Sequence, residues 1–250
     1  MDLATLRDDL VEGLATPPKE VLHREDLVVA MRAVPRHAFV PGPDEAAYRD
    51  APVEHAGTTV LAPSLVARLL EALAPATSDH VLVVGAGTGY TTALVAELVG
   101  AANVSAVDIS RPLVLEARRN LAGTGYGEAL VDCRDGVRGL EEYAPFDRIL
   151  VEAAAVRPPR ALLAQLAPDG RLVMPLGTRD QSLSVLDGPR ATPEPVAPVR
   201  FKPLLVDGEQ AGGIERNRTT REDLERHARA AERRRGWEQE WIDWDGRVVF

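Results

Sequence analysis

Three glycines at alternate positions, Gly85, Gly87 and Gly89, stand directly after an apolar run, His80-Val81-Leu82-Val83-Val84. Glycine lets the backbone turn sharply and lets a ligand approach with no Cβ in the way. A second apolar run, Val104-Ser105-Ala106-Val107, delivers Asp108 at its end. A carboxylate in that place accepts hydrogen bonds from ribose hydroxyls. Both features suit a nucleoside. The register is G-x-G-x-G, with Ala86 and Thr88 between the glycines, and it lacks the G-x-G-x-x-G spacing that carries a pyrophosphate onto a helix N-terminus. That difference favours S-adenosylmethionine, whose amino-acid tail has no phosphates, over NAD. A glycine turn in isolation is as well read as an ordinary tight turn. Strand, helix and acid together raise nucleoside binding above that reading.

Further polar groups follow the same placement. Ala129-Leu130-Val131 is a short apolar run leading to Asp132-Cys133-Arg134-Asp135-Gly136, where Asp135 is set to accept from an adenine amino group or simply to close an Asp-Gly turn. Phe146 to Val151 is another apolar run and ends in Glu152. The stretch Gly57 to Ser64 offers Thr58, Thr59 and Ser64 as helix caps or turn residues, or as cofactor contacts given their place ahead of the first strand. His23, His37, His55, His80 and His227 show no metal-ligand spacing and read as structural. Cys133 is the single cysteine, which excludes an internal disulfide or a cysteine metal cluster and suggests a small core residue.

The elements that must position these groups are legible from period and punctuation. Short β-branched runs without polar alternation read as buried parallel strands: His80–Val84, Val104–Val107, Ala129–Val131, Phe146–Val151 and Arg171–Pro175. Gln181 to Leu186 and Val199-Arg200-Phe201 add two more, separated by a proline-rich loop from Pro189 to Pro198. Helices are expected over Leu65–Leu73, ahead of the first strand, and over Thr91–Val99, Arg111–Leu121 and Pro158–Leu166, between the strands. Ahead of them, Leu3, Leu6, Leu10 and Leu14 form one helical stripe that Thr16-Pro17-Pro18 ends. A second helix, Arg24 to Ala33, stops at Val34-Pro35. Strands alternating with helices give an α/β protein with a Rossmann-like, doubly wound, mostly parallel sheet of about seven strands, N-terminal helices and a C-terminal helical tail.

Composition sets limits on function. The 250 residues suit one such domain, residues 1–212 with the N-terminal helices as a cover, followed by a tail over 213–250. A net charge of −9 argues against general binding to a nucleic-acid backbone. Basic residues are nearly all arginine, with lysine only at Lys19 and Lys202. No apolar run approaches a membrane span, and Asp2, Asp8 and Asp9 do not suit a signal peptide, so a cytoplasmic protein is expected. In the tail, Thr219 or Thr220 caps a helix through Arg235, and Trp237, Trp241 and Trp244 fall at helical spacing. That stripe reads as an anchor onto the body of the protein or as a homodimer surface.

Several motifs in order resemble the protein-L-isoaspartate O-methyltransferase family. They are Val34-Pro35-Arg36 with Phe39-Val40-Pro41, Gly57-x-Thr59-Val60-x-x-Pro63, Val84-Gly85-x-Gly87-x-Gly89-Tyr90 and Asp135-Gly136. Ala144 to Ile149 with Ala153-Ala154-Ala155, Pro175-Leu176-Gly177 with Gln181, and Phe201-x-Pro203-Leu204 complete the set. The resemblance covers roughly residues 20–206. It implies a class I S-adenosylmethionine-dependent methyltransferase. By that similarity Gly85, Ala86, Gly87 and Gly89 hold the methionine part, Asp108 with Ile109 the ribose, and Asp135-Gly136 the adenine side. Thr58, Thr59, Val60 and Ser64, with Gln181, close over the cofactor. The implied partner is a protein or peptide carrying an isoaspartyl residue, whose carboxylate is methylated and whose ester then collapses to a succinimide. Such a carboxylate is already ionised at neutral pH and needs no general base, so orientation is the main task.

Two positions depart from the family's pattern, and both fall where the resemblance implies the acceptor binds. The family loop usually reads Thr-Ile-Ser-x-Pro with a serine tied to catalysis; here Thr59 and Val60 are followed by Leu61. Glu152 stands where threonine is common. These two, with Thr59, are the candidate catalytic positions. They leave open a methyltransferase of another acceptor, such as a nitrogen nucleophile steered by Glu152, and a protein that binds S-adenosylmethionine or isoaspartate without turnover.

Overall fold

The computed structural model describes residues 2–205, and within them a seven-stranded sheet is flanked by helices. Strands β3 (Val81–Val84), β4 (Val104–Asp108), β5 (Leu130–Cys133), β6 (Phe146–Val151) and β7 (Leu166–Leu176) run parallel. β8 (Gln181–Asp187) and β9 (Glu194–Val199) add antiparallel at one edge, for an order β5-β4-β3-β6-β7-β8-β9. The chain winds from β3 outward to β5 and then returns to the other side of β3. This reversal leaves a crevice beyond the C-terminal ends of β3, β4 and β6, the place where open α/β sheets bind ligands.

Both faces of the sheet are covered, which is why its strands are apolar throughout. All four residues of β3 and all five of β4 are buried. Val81, Val83 and Ala106 turn to one face, against α1 (Leu3–Ala15), α2 (Glu25–Ala33), α3 (Pro63–Leu73), α4 (Tyr90–Val99) and α5 (Arg111–Gly123). Leu82, Val84, Val107 and Ile149 turn to the other, packing on Leu140 and on Leu162 of the short α6 (Arg160–Gln165). Leu69, Leu70 and Leu73 of α3 are fully buried, and each such side chain contributes roughly 1.5–3 kcal/mol over an exposed one.

Several expectations are corrected. The segment Gly57–Ser64 is not all loop: β1 (Val53–His55) pairs with β2 (Thr58–Val60) in a hairpin. Its two central residues, Ala56 and Gly57, have φ of 46° and 80°, the conformation of a type I′ turn matched to strand twist. Pro189–Pro198 is not wholly loop either, since Glu194–Val199 forms β9, and the last strand therefore ends where Val199-Arg200-Phe201 was expected to begin it. Two prolines are tolerated there because β9 is an edge strand with only β8 beside it. The helix expected to reach Leu166 stops at Gln165, and β7 begins at once. Cys133 is exposed at the end of β5 rather than in the core. Among the described residues no helix is long and apolar enough to cross a membrane. The helical tail, its tryptophan stripe, the dimer surface assigned to it and the boundary at 212/213 lie outside the described residues.

Candidate active site

The glycine turn is built against β4. The Gly85 and Ala86 amides donate to the Val107 carbonyl at 2.8 and 3.0 Å, and Gly85 has φ +95°, closed to a residue with a Cβ except under strain. A Cβ placed on Gly85 would sit 3.4 Å from the Glu152 Cβ. The turn thus lies directly on Glu152. The Gly87 amide donates to Asp108 Oδ2 at 2.9 Å and the Ser110 amide to Oδ1 at 2.8 Å. These two bonds fix the Asp108 carboxyl at the lip of the crevice. Burial pushes its pKa up, and the two amides oppose that rise. Gly89 opens α4 with φ +96°, and a Cβ there would meet Ala117 of α5 at 3.4 Å. The third glycine therefore serves helix packing more than ligand approach.

Three adjoining cavities open at this end of the sheet. The first joins Gly85, Asp108, Ile109 and Gly136 to Pro203 and Leu204. The second lies under Ala86, Gly87 and Thr88, walled by Val60, Leu61 and Thr91. The third, of about 550 Å³, runs from Pro52 and Thr59 past Leu61 and Leu65 to Arg200, Phe201 and Lys202. Only Thr58 and Glu152 border all three. Glu152 is half-buried as a residue, yet its Oε1 is shut off from solvent and meets no partner. Its pKa is pushed up to about 7 chiefly by burial, with the Thr91 hydroxyl opposing and the Asp108 charge adding to the rise.

Gly136 lines the first cavity, and a Cβ on it would collide with Val84 Cγ1 at 2.4 Å. Asp135 is buried, and its Oδ1 accepts from the Val137 amide at 2.9 Å, closing the turn that presents Gly136. Its side chain borders a neighbouring concavity with Arg134 and Arg138. Ser64 and Gln181 do not line the three cavities. Ser64 sits in the first turn of α3, its amide donating to Asp50 Oδ1 at 2.8 Å. Gln181 grips the main chain of Phe201 from both sides: Oε1 accepts its amide at 2.6 Å and Nε2 donates to its carbonyl at 3.1 Å. Gln181 therefore acts on the cleft indirectly, by holding the strap over residues 201–204 that roofs it. The Thr59 hydroxyl donates to Glu54 Oε1, while Lys202 Nζ donates to Glu54 Oε2 at 2.8 Å and to the Gly57 carbonyl at 3.1 Å. These bonds tie the β1–β2 hairpin to the strap.

Two contributors were missed in the sequence. Arg36 is buried at 1% exposure, with Nε donating to the Ala47 carbonyl at 2.9 Å and Nη2 to the Leu61 carbonyl at 2.8 Å. Its guanidinium lies 4.5 Å over the Tyr90 ring, so it fastens the Leu61 loop to the start of α4. Arg36 stands in the Val34-Pro35-Arg36 motif, but nothing in its spacing shows that it is buried or reaches the Leu61 loop. Lys202 carried a signal, being one of two lysines in a chain that otherwise uses arginine. Among the described residues no group of three or more His, Cys, Asp or Glu is arranged to hold a metal.

The family described as Protein-L-isoaspartate(D-aspartate) O-methyltransferase (PCMT) matches residues 7–210. A protein-L-isoaspartate O-methyltransferase of Aeropyrum pernix is 46% identical over 180 residues, covering 67% of this chain and 69% of its own. One from Rhodopseudomonas palustris is 41% identical over 191 residues, 74% of this chain and 87% of its own. A solved protein-L-isoaspartate O-methyltransferase shares the fold with a TM-score of 0.70 at 24% identity, over 84% of this chain and 67% of its own. The same fold, at TM-score 0.70 and 23% identity over 80% of this chain and 98% of the other, occurs in a putative protein-L-isoaspartate O-methyltransferase of Plasmodium falciparum in complex with S-adenosyl-L-homocysteine. By the extent of these matches, this chain is a member of the protein-L-isoaspartate(D-aspartate) O-methyltransferase family.

Proposed function

We propose that the crevice binds S-adenosylmethionine along the first two cavities and an isoaspartyl peptide in the third, and that the protein methylates the isoaspartyl carboxylate. The observation that carries this reading is the junction at Thr58 and Glu152, where two small recesses beside the glycine turn, of about 80 and 40 Å³, meet a larger cavity of about 550 Å³. The residues fit such a cofactor. Asp108 keeps acceptor capacity toward the recess beyond the two amides it already takes, and Gly85 and Gly136 leave room that a Cβ would fill. Ile109, Val107 and Leu204 give apolar walls for a base.

When bound, S-adenosylmethionine supplies a methyl group already activated by its sulfonium. The chain's own task is then to hold the acceptor oxygen in line and to keep water away. Leu61, Leu65 and Phe201 line the third cavity with apolar surface, which suits a reaction that consumes charge. Well-oriented groups in such a site gain most of their acceleration from pre-paid positioning. At the same cavity Lys202 is paired with Glu54, while Arg200 offers positive charge to an incoming carboxylate. An ionised Glu152 would oppose it, by about 4 kcal/mol at roughly 4 Å and an effective dielectric of about 20. A cytoplasmic location belongs to the same proposal, since a chain with one cysteine suits a reducing compartment.

The test is transfer of labelled methyl from S-adenosylmethionine to an isoaspartyl peptide and to its aspartyl twin. Transfer to the first alone is expected. Equal labelling of both, or of neither, refutes the reading.

A further inference from the structure

We propose that Glu152 is an acceptor-binding residue that works in its protonated form, donating its carboxyl hydrogen to the isoaspartyl carboxylate and so standing in for a hydroxyl donor. The inference rests on the isoaspartyl reading above. It starts from an orphan: Glu152 Oε1 is buried without a partner, whereas the neighbouring carboxylate Asp108 takes two amides and Glu54 takes the Thr59 hydroxyl and Lys202. Buried polar atoms are nearly always satisfied; an unpaired oxygen shut off from solvent disfavours the carboxylate, and the side chain that carries it borders all three cavities, where its carboxyl can turn to a ligand.

The charge around Glu152 decides which protonation state meets that ligand. The titratable and charged groups that share its cavities are Asp108 on β4, Tyr90 on α4, Glu54 on the hairpin, Arg200 just after β9 and Lys202 on the strap. Lys202 is committed to Glu54, and among the described residues no ion pair reaches Glu152. Asp108 and burial both favour the neutral acid, leaving only the Thr91 hydroxyl on the side of the anion. A neutral carboxyl is a donor and a carboxylate is acceptor only. Two carboxyl groups that meet with one proton between them attract; with none they repel. The acceptor loses negative charge as its oxygen takes the methyl, so this hydrogen bond is strongest before the reaction. Its effect therefore belongs to binding rather than to the chemical step.

The experiment is steady-state methylation of an N-acetylated, C-amidated isoaspartyl peptide between pH 5.5 and 9, with wild type, Glu152→Gln and Glu152→Thr. Glutamine and threonine donate at every pH. For wild type kcat/KM should fall roughly tenfold per pH unit above about 7, with the loss in peptide KM and kcat nearly level. The ratio of either variant to wild type should climb by the same factor per unit. Affinity for S-adenosyl-L-homocysteine, measured by calorimetry on all three proteins, should carry none of the excess. A variant profile parallel to wild type overturns the inference, as does a wild-type rise through pH 7 or a pH dependence that lies in cofactor affinity. Failure of wild type to methylate the peptide at any pH refutes the isoaspartyl reading itself, and this inference with it. Transfer with an unaltered profile refutes the inference alone.

Discussion

Glu152 makes a prediction about stability that needs no substrate. Its carboxyl is raised from an ordinary value of 4.5 to about 7 in the folded chain, because burial penalises the anion. A raised acid contributes nothing adverse below pH 4.5, where both folded and unfolded chains hold the proton. Between pH 4.5 and 7 the unfolded chain ionises and the folded one does not, so wild type loses stability as pH rises. Above pH 7 the loss is complete. At about 1.4 kcal/mol per tenfold the gap amounts to roughly 3 kcal/mol, which for a chain of this size is about 6–12 °C in Tm. Glu152→Gln keeps the shape and removes the titration. Thermal melts of the two ligand-free proteins from pH 4.5 to 9 should show Gln gaining on wild type by that amount up to about pH 7.5, then holding level. Any fixed cost of the amide shifts the whole difference curve without changing its shape. A difference that stays constant across the range refutes the reasoning, since it leaves Glu152 ionised at little cost.

Three further outcomes follow from the geometry. Asp108→Ala removes the acceptor and releases the Gly87 and Ser110 amides; hydrogen bonds to a charged group contribute about 1.5–3 kcal/mol, so calorimetry should show S-adenosyl-L-homocysteine bound roughly 10- to 100-fold more weakly. Gly136→Ala drives a methyl into Val84 Cγ1, and overpacking of this kind costs about 1–3 kcal/mol; denaturant melts should show that loss together with weaker cofactor binding. Arg36→Lys cannot reach two carbonyls and stack on Tyr90 at once, so it should destabilise the fold by about 2–4 kcal/mol and raise peptide KM through a loosened Leu61 loop, whereas unchanged melts and kinetics would remove Arg36 from the site's support.

The sequence disclosed the parallel strands because their burial on both faces forces unbroken β-branched runs, as in Val81–Val84. It disclosed Gly85 and Asp108 because local backbone geometry demands those residue types. What it hid was set by contacts between distant segments. The hairpin at Ala56-Gly57 requires a positive φ at an alanine, which no propensity announces. β9 contradicts its own prolines and forms because β8 presents an open edge to it. The resemblance places Gln181 over the cofactor, but only the fold shows that its amide grips the main chain of Phe201, twenty residues on. Cys133 seemed a core residue by composition alone, but it falls at a strand end facing out.

Leu61 and Glu152 are better understood as one change than as two. Both line the third cavity and the one beneath the glycine turn, so a donor lost at the first position can be replaced from the second. Leu61 brings no hydroxyl where the family's loop carries serine, and neutral Glu152 brings one. On this account the two sites are coupled, and the coupling depends on pH. Leu61→Ser should help little at pH 6, where Glu152 already donates and the lost apolar contact offsets the gain. At pH 8.5 Glu152 is ionised and the new hydroxyl replaces the donor it has lost, so kcat/KM for the isoaspartyl peptide should rise toward the 10- to 100-fold that about 1.5–3 kcal/mol allows. In the Glu152→Thr background, where a donor is present at all pH, the same substitution should show no such dependence. A gain of equal size at both pH values in the wild-type background would mean that the two positions act independently and that no donor passes between them.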